Sequence, residues 1–186
     1  MKYEILKDEF TEFDDRKLYR IKALKDFRDV KEGEFGGYIE SEQNLSQEGN
    51  AWVSGNARVS GNARVSGNAR VYGNAQVYGN ARVSDDAWVY GDAQVYGDAQ
   101  VAGDAQVLNR HSVVWFSNVG TENGTLTVYC GKNGLIATRG CLTGSVEEFL
   151  DKSAKVHDEK TKREYELLIE VARSRLKEAQ GNIGSE

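Results

Sequence analysis

The stretch from Ala57 to Val83, ARVSGNARVSGNARVYGNAQVYGNARV, repeats one six-residue unit with little variation. Valine recurs at every sixth residue from Val53 to Val107, and alanine stands two residues before each of these valines. Residues two apart project to the same side of an extended strand, so each unit offers one small and one branched apolar side chain to an interior. Glycine followed by asparagine or aspartate separates most units, and these residues accept the backbone angles of sharp corners. The sequence therefore predicts short strands that alternate with corners.

Parallel stacking of identical coils fits this repeat better than antiparallel hairpins, because every hexad has the same internal order. The unit VSGNAR resembles the hexapeptide repeat of left-handed parallel β-helices, with an aliphatic residue in the first place and a small residue in the fifth. This resemblance covers Ala51 to Leu108 closely. It implies three hexads in each triangular coil, and a left-handed exception to the usual right-handed crossover.

Weaker hexads extend the pattern on both sides. Ile39 and Leu45 fall in the register of the alanines, and Val113 and Val119 fall in the register of the valines. We therefore assign the β-helix to residues 39–119, which amounts to roughly four to five coils.

The flanks are predicted to be caps that hide the open ends of the coil stack. Upstream, within residues 1–38, KYEIL and KLYRIKAL alternate as strands do. Downstream, within residues 120–186, GTLTVYCGKNGLIATRGC predicts a hairpin about the turn from Lys132 to Gly134. Two helices follow, the first with Ser145 and Glu148 as a capping box. The apolar stripe of the second helix consists of Tyr165, Leu168, Ile169, Ala172 and Leu176.

Together these features predict a mainly β fold. It is a left-handed parallel β-helix with a small N-terminal β cap, and with a C-terminal cap made of a β-hairpin and two helices.

Three hexads per coil place residues eighteen apart above one another and create three outward faces. Face one carries Trp52, Arg70, Trp88 and Gln106, with Ser54, Tyr72, Tyr90 and Leu108 beside them. Face two carries Arg58, Gln76 and Gln94, with Ser60, Tyr78 and Tyr96. Face three carries Arg64, Arg82 and Gln100, with Ser66, Ser84 and Ala102.

Two of the three faces are therefore aromatic, which has two possible meanings. Stacked tyrosines stabilise neighbouring coils, and a strip of Trp and Tyr with interleaved Arg is also typical of a protein interface. Both interpretations stay open. The candidate binding or oligomer-interface residues are Trp52, Arg70, Tyr72, Tyr78, Trp88, Tyr90 and Tyr96.

Composition excludes several classes of function. The formal net charge is -5 and the signs are mixed along the repeat, which disfavours nucleic acid as a partner. No apolar run approaches the roughly 20 residues of a membrane span, so we expect a cytoplasmic protein. Cys130 and Cys141 lack the spacing of a disulfide framework or a zinc site, and we expect buried, reduced thiols.

Catalytic residues are not evident. The chain resembles hexapeptide acyltransferases only in its scaffold, because no extruded loop interrupts the segment from Ala51 to Leu108. His111 falls in the register of the inward alanines, and His157 ends the first predicted helix, so we expect structural roles for both. We predict no cofactor and no metal site. The expectation is a protein that is not an enzyme, with an acyltransferase that uses an acyl-coenzyme A donor as the alternative.

The arrangement as a whole resembles a group of hexapeptide-repeat proteins of phages, prophages and bacteria. The segments GGYIESEQNLSQEGNAWV, NVGTENGTLTVY and GCLTGSVEEF carry this resemblance. It implies a noncatalytic, phage-associated binding protein that inhibits or sequesters a bacterial defence protein or its ligand, possible ligands including a small nucleotide. Such a protein would act in the host cytoplasm. A structural scaffold or virion component is a further alternative.

Hexapeptide relatives commonly form trimers, so we expect a homotrimer. Its predicted contact joins face one of one subunit to face two of the next in a closed ring. The residues expected there are Trp52, Tyr72, Trp88 and Tyr90 on one side, and Tyr78 and Tyr96 on the other.

Overall fold

The computed structural model describes residues 1–181, with side chains through Leu176. Three strands lead into the repeat: β1 (Tyr3–Phe13), β2 (Arg16–Ala23) and β3 (Phe35–Ile39). The repeat itself forms one two-residue strand per hexad: β4 (Trp52–Val53), β5 (Arg58–Val59), β6 (Arg64–Val65), β7 (Arg70–Val71), β8 (Gln76–Val77), β9 (Arg82–Val83), β10 (Trp88–Val89), β11 (Gln94–Val95), β12 (Gln100–Val101) and β13 (Gln106–Val107). The chain continues with β14 (Val113–Val119), β15 (Gly124–Gly131), β16 (Gly134–Arg139), β17 (Leu142–Ser145), α1 (Val146–Val156) and α2 (Glu159–Gly181).

The short strands stack in parallel and form a β-solenoid of about four turns. From β4 to β10, each strand pairs with the strand eighteen residues further on, as in the pairing of Arg58 with Gln76 and of Gln76 with Gln94. Three sheets result, and each forms one side of the prism. The repeated valines and alanines fill the interior and are almost completely buried. The predicted inward register and the three-hexad coil are therefore confirmed.

Hydrogen-bonded ladders join the corners of successive coils. The side-chain amide of Asn62 donates to Asn80, and the amide of Asn80 donates to the carboxylate of Asp98. Asp85 occupies a corner position that glycine holds elsewhere, with a φ of 57°. Its carboxylate accepts a hydrogen bond from the backbone N–H of Gly103 at 3.1 Å, and this contact stabilises an angle that is otherwise unfavourable for a side chain.

The first coil differs from the predicted register. Ile39 pairs with Val59, and Leu45 forms a bridge with Val65, so both residues occupy valine positions. The prediction that they fall in the alanine register is wrong. The larger side chains fill the interior under the valines of the next coil.

A two-residue insertion explains this shift. The backbone N–H of Ser46 donates to Val65, nineteen positions ahead, whereas the N–H of Asn50 donates to Gly67, seventeen positions ahead as in the regular coils. The two additional residues therefore lie between Ser46 and Asn50, at a corner, where an insertion does not disturb the stacked strands.

The predicted extension of the repeat through Val113 and Val119 is also wrong. Both residues belong to β14, which runs antiparallel to β15 in a separate four-stranded sheet. Val113 still packs on the solenoid core, but Val119 packs in the C-terminal core. A turn at residues 109–112 causes the change of direction.

The N-terminal cap is a hairpin that extends the sheet of face two below the first coil, in the order β1-β2-β3-β5-β8-β11. Its approach to the coil requires small residues. A Cβ atom on Gly36 would lie 2.4 Å from Cγ1 of Ile21, and one on Gly37 would lie 2.6 Å from the carbonyl oxygen of Ala57. Lys2 closes the end of the prism, because its buried ammonium donates to the carbonyl of Ala51 at 2.8 Å.

The C-terminal cap packs α1 and α2 against the sheet β14-β15-β16-β17. The predicted hairpin is confirmed, with Gly131 opposite Gly134. The capping box of Ser145 and Glu148 is confirmed as well, and the predicted apolar stripe of α2 packs in the C-terminal core. Within residues 1–181, no helix has the length and apolar character that a membrane crossing needs.

Candidate functional site

The outward side chains form the three faces that the periodicity predicts. The sheet β4-β7-β10-β13 stacks Trp52, Arg70, Trp88 and Gln106 on face one. The other two sheets place the remaining outward residues on faces two and three as expected. The caps decide which of these residues solvent can reach.

Trp52 is not part of an exposed surface. Only 1% of this residue is exposed, because the N-terminal cap covers its indole. The ring makes edge contacts with Phe27, at 5.4 Å between centroids, and with Tyr3, at 6.4 Å. The prediction of Trp52 as an interface residue is therefore wrong, and its indole belongs to the core between cap and coil.

The other three aromatic residues of face one form one cluster. Tyr72 and Tyr90 stack with their centroids 5.1 Å apart and their planes 7° apart. Trp88 meets Tyr72 edge to face at 6.2 Å, and 41% of Trp88 is exposed. Burial raises the pKa of the Tyr72 phenol, and Tyr90 adds to this effect, so the hydroxyl stays neutral at physiological pH.

Arg70 lies beside this cluster and is held by the N-terminal cap. Its guanidinium forms an ion pair with Asp29, and only 13% of its side chain is exposed. Burial lowers the pKa of Arg70, and the neighbouring charge of Arg28 lowers it further. An arginine nevertheless keeps its charge at neutral pH. The pair with Asp29 fixes the guanidinium next to the rings.

A cavity of about 470 Å³ opens on face one, between Arg70 and the aromatic cluster. We call it the Trp88 cleft, and it is lined by Arg28, Asp29, Ser54, Arg70, Tyr72 and Trp88. One wall is the coil and the other is the segment of the cap that follows β2. The cleft therefore combines a rigid aromatic wall with both signs of charge.

Face two does not offer the open strip that the sequence suggests. Tyr78 and Tyr96 stack at 4.9 Å, but Phe13 of the N-terminal hairpin contacts Tyr78 and Trp115 of β14 contacts Tyr96. Tyr96 keeps 41% of its surface exposed. The structure brings this pair together on a different side of the prism from the Trp88 cleft.

One of the two predicted histidine positions is wrong, and the other is confirmed. His111 is exposed on the turn before β14, so its predicted inward position is wrong. His157 is the C-cap of α1, as expected, and its ring lies 5.5 Å from that of Tyr165. Neither imidazole takes part in any of the ion pairs found within residues 1–176, so no carboxylate there orients it as a catalytic base.

The two cysteines are both free, but only one is buried. Burial raises the pKa of the Cys130 thiol and so suppresses the reactive thiolate. Cys141 is exposed, so the expectation of two buried thiols is wrong for this residue. In the part of the chain that the structure describes, no three His, Cys, Asp or Glu residues are grouped as metal ligands.

The periodic pattern does not reveal Arg28 and Asp29 as site residues. They lie outside the repeat, and Asp29 reaches Arg70 only because the cap folds over the first coil. A charged segment, DFRDVKEGEF, was visible in the sequence, but nothing local connects it to face one.

Comparison with known families agrees with the fold. A model described as YdcK Beta solenoid repeat matches residues 51–64, 63–77 and 75–91. Together the three matches cover the stacked strands β4 to β10. The chain is thus a β-solenoid repeat protein. No curated protein matches it.

Proposed function

We propose that this β-solenoid is a noncatalytic binding protein that contacts a partner protein through the Trp88 cleft. The observation that carries the proposal is the cluster of Trp88, Tyr72 and Tyr90 beside the fixed guanidinium of Arg70. Tryptophan, tyrosine and arginine are the residues that contribute most to protein interfaces. The partly exposed indole of Trp88 beside a cavity is suited to act as an aromatic anchor residue in a protein interface.

The scaffold supports this role because it holds the rings in place before any partner arrives. The backbone N–H of Tyr72 donates to Val89, and that of Trp88 donates to Ala105, so neighbouring coils fix both strands. The Tyr72–Tyr90 stack restricts the side chains further. Little conformational entropy is then lost on binding, which favours affinity.

The more specific form of the proposal concerns origin and target. We propose a phage-associated protein that inhibits or sequesters a bacterial defence protein or its ligand. The support is the resemblance of the entry segment at residues 36–53, and of the exit segments at 118–129 and 140–149, to hexapeptide-repeat proteins of phages and prophages. On the same support we propose that the protein acts in the host cytoplasm.

The test compares two outward residues on consecutive strands that belong to different faces. Immobilised wild-type protein, Trp88→Ser and Arg82→Ser are incubated with a bacterial host lysate, and the bound proteins are identified by mass spectrometry. We then expect purified partner to bind Trp88→Ser about 30-fold more weakly than wild type. Arg82, which is exposed on face three, should be replaceable without loss. Equal binding to both variants would exclude the Trp88 cleft as the contact surface.

Self-association is the competing use of the same surface. The proposed trimer is tested by light scattering on wild-type protein and on Tyr72→Ser with Tyr90→Ser. A trimer that dissociates in the double variant, with its β circular dichroism retained, would identify the partner of face one as a second copy. A wild-type monomer would contradict the trimer and leave the cleft to another protein. A trimer that the double change leaves intact would move the subunit interface away from face one.

An acyltransferase is the second candidate, and the exposure of His111 beside a large cavity is the observation in its favour. That function predicts transfer from an acyl-coenzyme A donor that His111→Ala abolishes. We expect neither turnover nor saturable binding of coenzyme A. Histidine-dependent transfer to any member of an acceptor panel would reverse the order of the two candidates.

A further inference from the structure

A second cavity, of about 770 Å³, lies at the C-terminal end of face two. We call it the Arg110 groove, and the residues that matter for its chemistry are Gln94, Tyr96, Arg110, His111, Trp115 and Arg175. They come from β11 and the residue after it, from the turn at residues 109–112, from β14 and from α2. The volume is typical of sites for small molecules.

The turn that carries Arg110 and His111 is fixed by its own hydrogen bonds. The Asn109 side chain accepts from the backbone N–H of His111 at 2.8 Å and from the Ser112 hydroxyl at 3.2 Å. The backbone N–H of Ser112 donates to the Asn109 carbonyl, and the Ser112 carbonyl accepts from the backbone N–H of Cys130. Asn109 and Ser112 thus anchor the turn, while the two residues between them are exposed.

The groove is a basic site in an acidic protein. Two arginines and a histidine line it, and no aspartate or glutamate is among its described lining residues. Arg110 and Arg175 take part in none of the ion pairs found within residues 1–176. The formal net charge of the chain is -5, so this local excess of positive charge is not a general property of the surface.

Aromatic rings form the other wall of the groove. Trp115 stands almost perpendicular to Tyr96, at 88° and 4.6 Å, and Tyr96 stacks on Tyr78. Burial raises the pKa of Tyr78, an effect that the nearby charge of Arg110 opposes. The indole of Trp115 also packs close to the backbone of Gly97, where an added Cβ atom would lie 3.3 Å from the indole nitrogen. The rings and the cation are therefore close together and held by packing.

We propose that the Arg110 groove binds a small organic phosphate that carries a planar ring, the chemistry of a nucleoside diphosphate. Guanidinium groups match the oxygens of a phosphate in geometry and charge, which assigns the phosphate end to Arg110 and Arg175. Indole and phenol rings pack against planar bases regardless of the base, which assigns the ring end to Trp115 and Tyr96. This site is separate from the Trp88 cleft and does not depend on the proposed protein partner.

The experiment uses the full chain and four probes, ADP, GDP, CDP and UDP, with binding followed by calorimetry and tryptophan fluorescence. We expect at least one nucleoside diphosphate to bind with a dissociation constant below about 1 mM. Its free nucleoside and inorganic pyrophosphate should each bind at least about tenfold more weakly, because each lacks one half of the recognised chemistry. Failure of all four probes to bind at about 5 mM would overturn the proposal.

Matched variants locate the site. Arg110→Ala together with Arg175→Ala should weaken binding at least about tenfold, and Trp115→Leu should weaken nucleoside diphosphate more than pyrophosphate. Arg82→Ala, which removes an exposed arginine of face three, should leave binding unchanged. Circular dichroism checks that each variant is folded. If the double variant unfolds, Arg110→Lys replaces it, because this variant keeps the positive charge and removes only the planar guanidinium that binds phosphate oxygens. Binding that the arginine variants leave intact, or pyrophosphate affinity equal to that of the diphosphate, would refute the assignment.

Discussion

Replacing Val83 with aspartate tests the inward register of the coils. Val83 lies in the interior between Val65 of the coil below and Val101 of the coil above, and all three side chains are buried. The neighbouring position, Arg82, points to solvent on the same two-residue strand. Arg82→Asp is therefore a control that introduces the same side chain one residue away.

The expected loss for Val83→Asp has three parts. The valine loses about 1.5 to 3 kcal/mol of burial. An aspartate at pH 7 stays neutral in a dry interior only at a cost of about 4 kcal/mol, since its usual pKa is near 3.9. The protonated carboxyl without a hydrogen-bond partner costs about 1 to 3 kcal/mol more. The total, about 7 to 10 kcal/mol, is comparable to the whole stability of a typical domain.

Urea unfolding followed by circular dichroism and tryptophan fluorescence measures the effect. Val83→Asp should be unfolded in its central coils without denaturant, because each coil of a solenoid is stabilised mainly by its neighbours. Arg82→Asp should unfold within about 0.5 kcal/mol of wild type. A Val83→Asp protein with the wild-type midpoint would refute the inward register.

Three further predictions concern the caps. Gly37→Ala should lower the free energy of unfolding by about 1 to 3 kcal/mol in urea titrations, because the added Cβ would overlap the carbonyl of Ala57; an unchanged midpoint would contradict this close approach. Burial lowers the pKa of Lys2 from 10.5 to about 8, with the charges of Lys25 and Arg70 as smaller causes. The unfolded chain then binds more protons than the folded chain between about pH 8 and 10. The free energy of unfolding of the wild type, relative to that of Lys2→Met, should therefore rise with pH over this range. A difference between the two proteins that does not change with pH would argue against burial of this ammonium. A thiol reagent should modify Cys141 in the native protein and Cys130 only after unfolding, and rapid modification of both would show that Cys130 is accessible.

The strict period of the repeat was sufficient to predict most of the solenoid. Alanine and valine two apart can share an interior only in an extended strand, and glycine at most corners removes the steric obstacle to turning. Once three hexads form a coil, residues eighteen apart must stack, so the composition of each face follows from arithmetic alone. For this reason the pairing of Trp88 with Arg70 was predictable from sequence. The capping box at Ser145 was predictable for a similar reason, since its interactions are local.

The accessible surface was not predictable in this way, because it depends on contacts between residues far apart in the chain. Trp52 and Trp88 occupy the same position in the repeat, yet the N-terminal cap buries the first and leaves the second exposed. Arg70 is fixed by Asp29, which has no fixed spacing to the repeat. His111 fits the period of the alanines, but the turn at residues 109–112 takes it out of the coil.

The sequence by itself determined the coil, its interior and the membership of each face, since these follow from short-range periodicity. Only the tertiary structure decided which face is covered, where the Trp88 cleft opens, and which cations meet which rings in the Arg110 groove. Those features arise where caps fold back on coils, and the free energy of such contacts comes from the shape and charge of surfaces that are not neighbours in sequence.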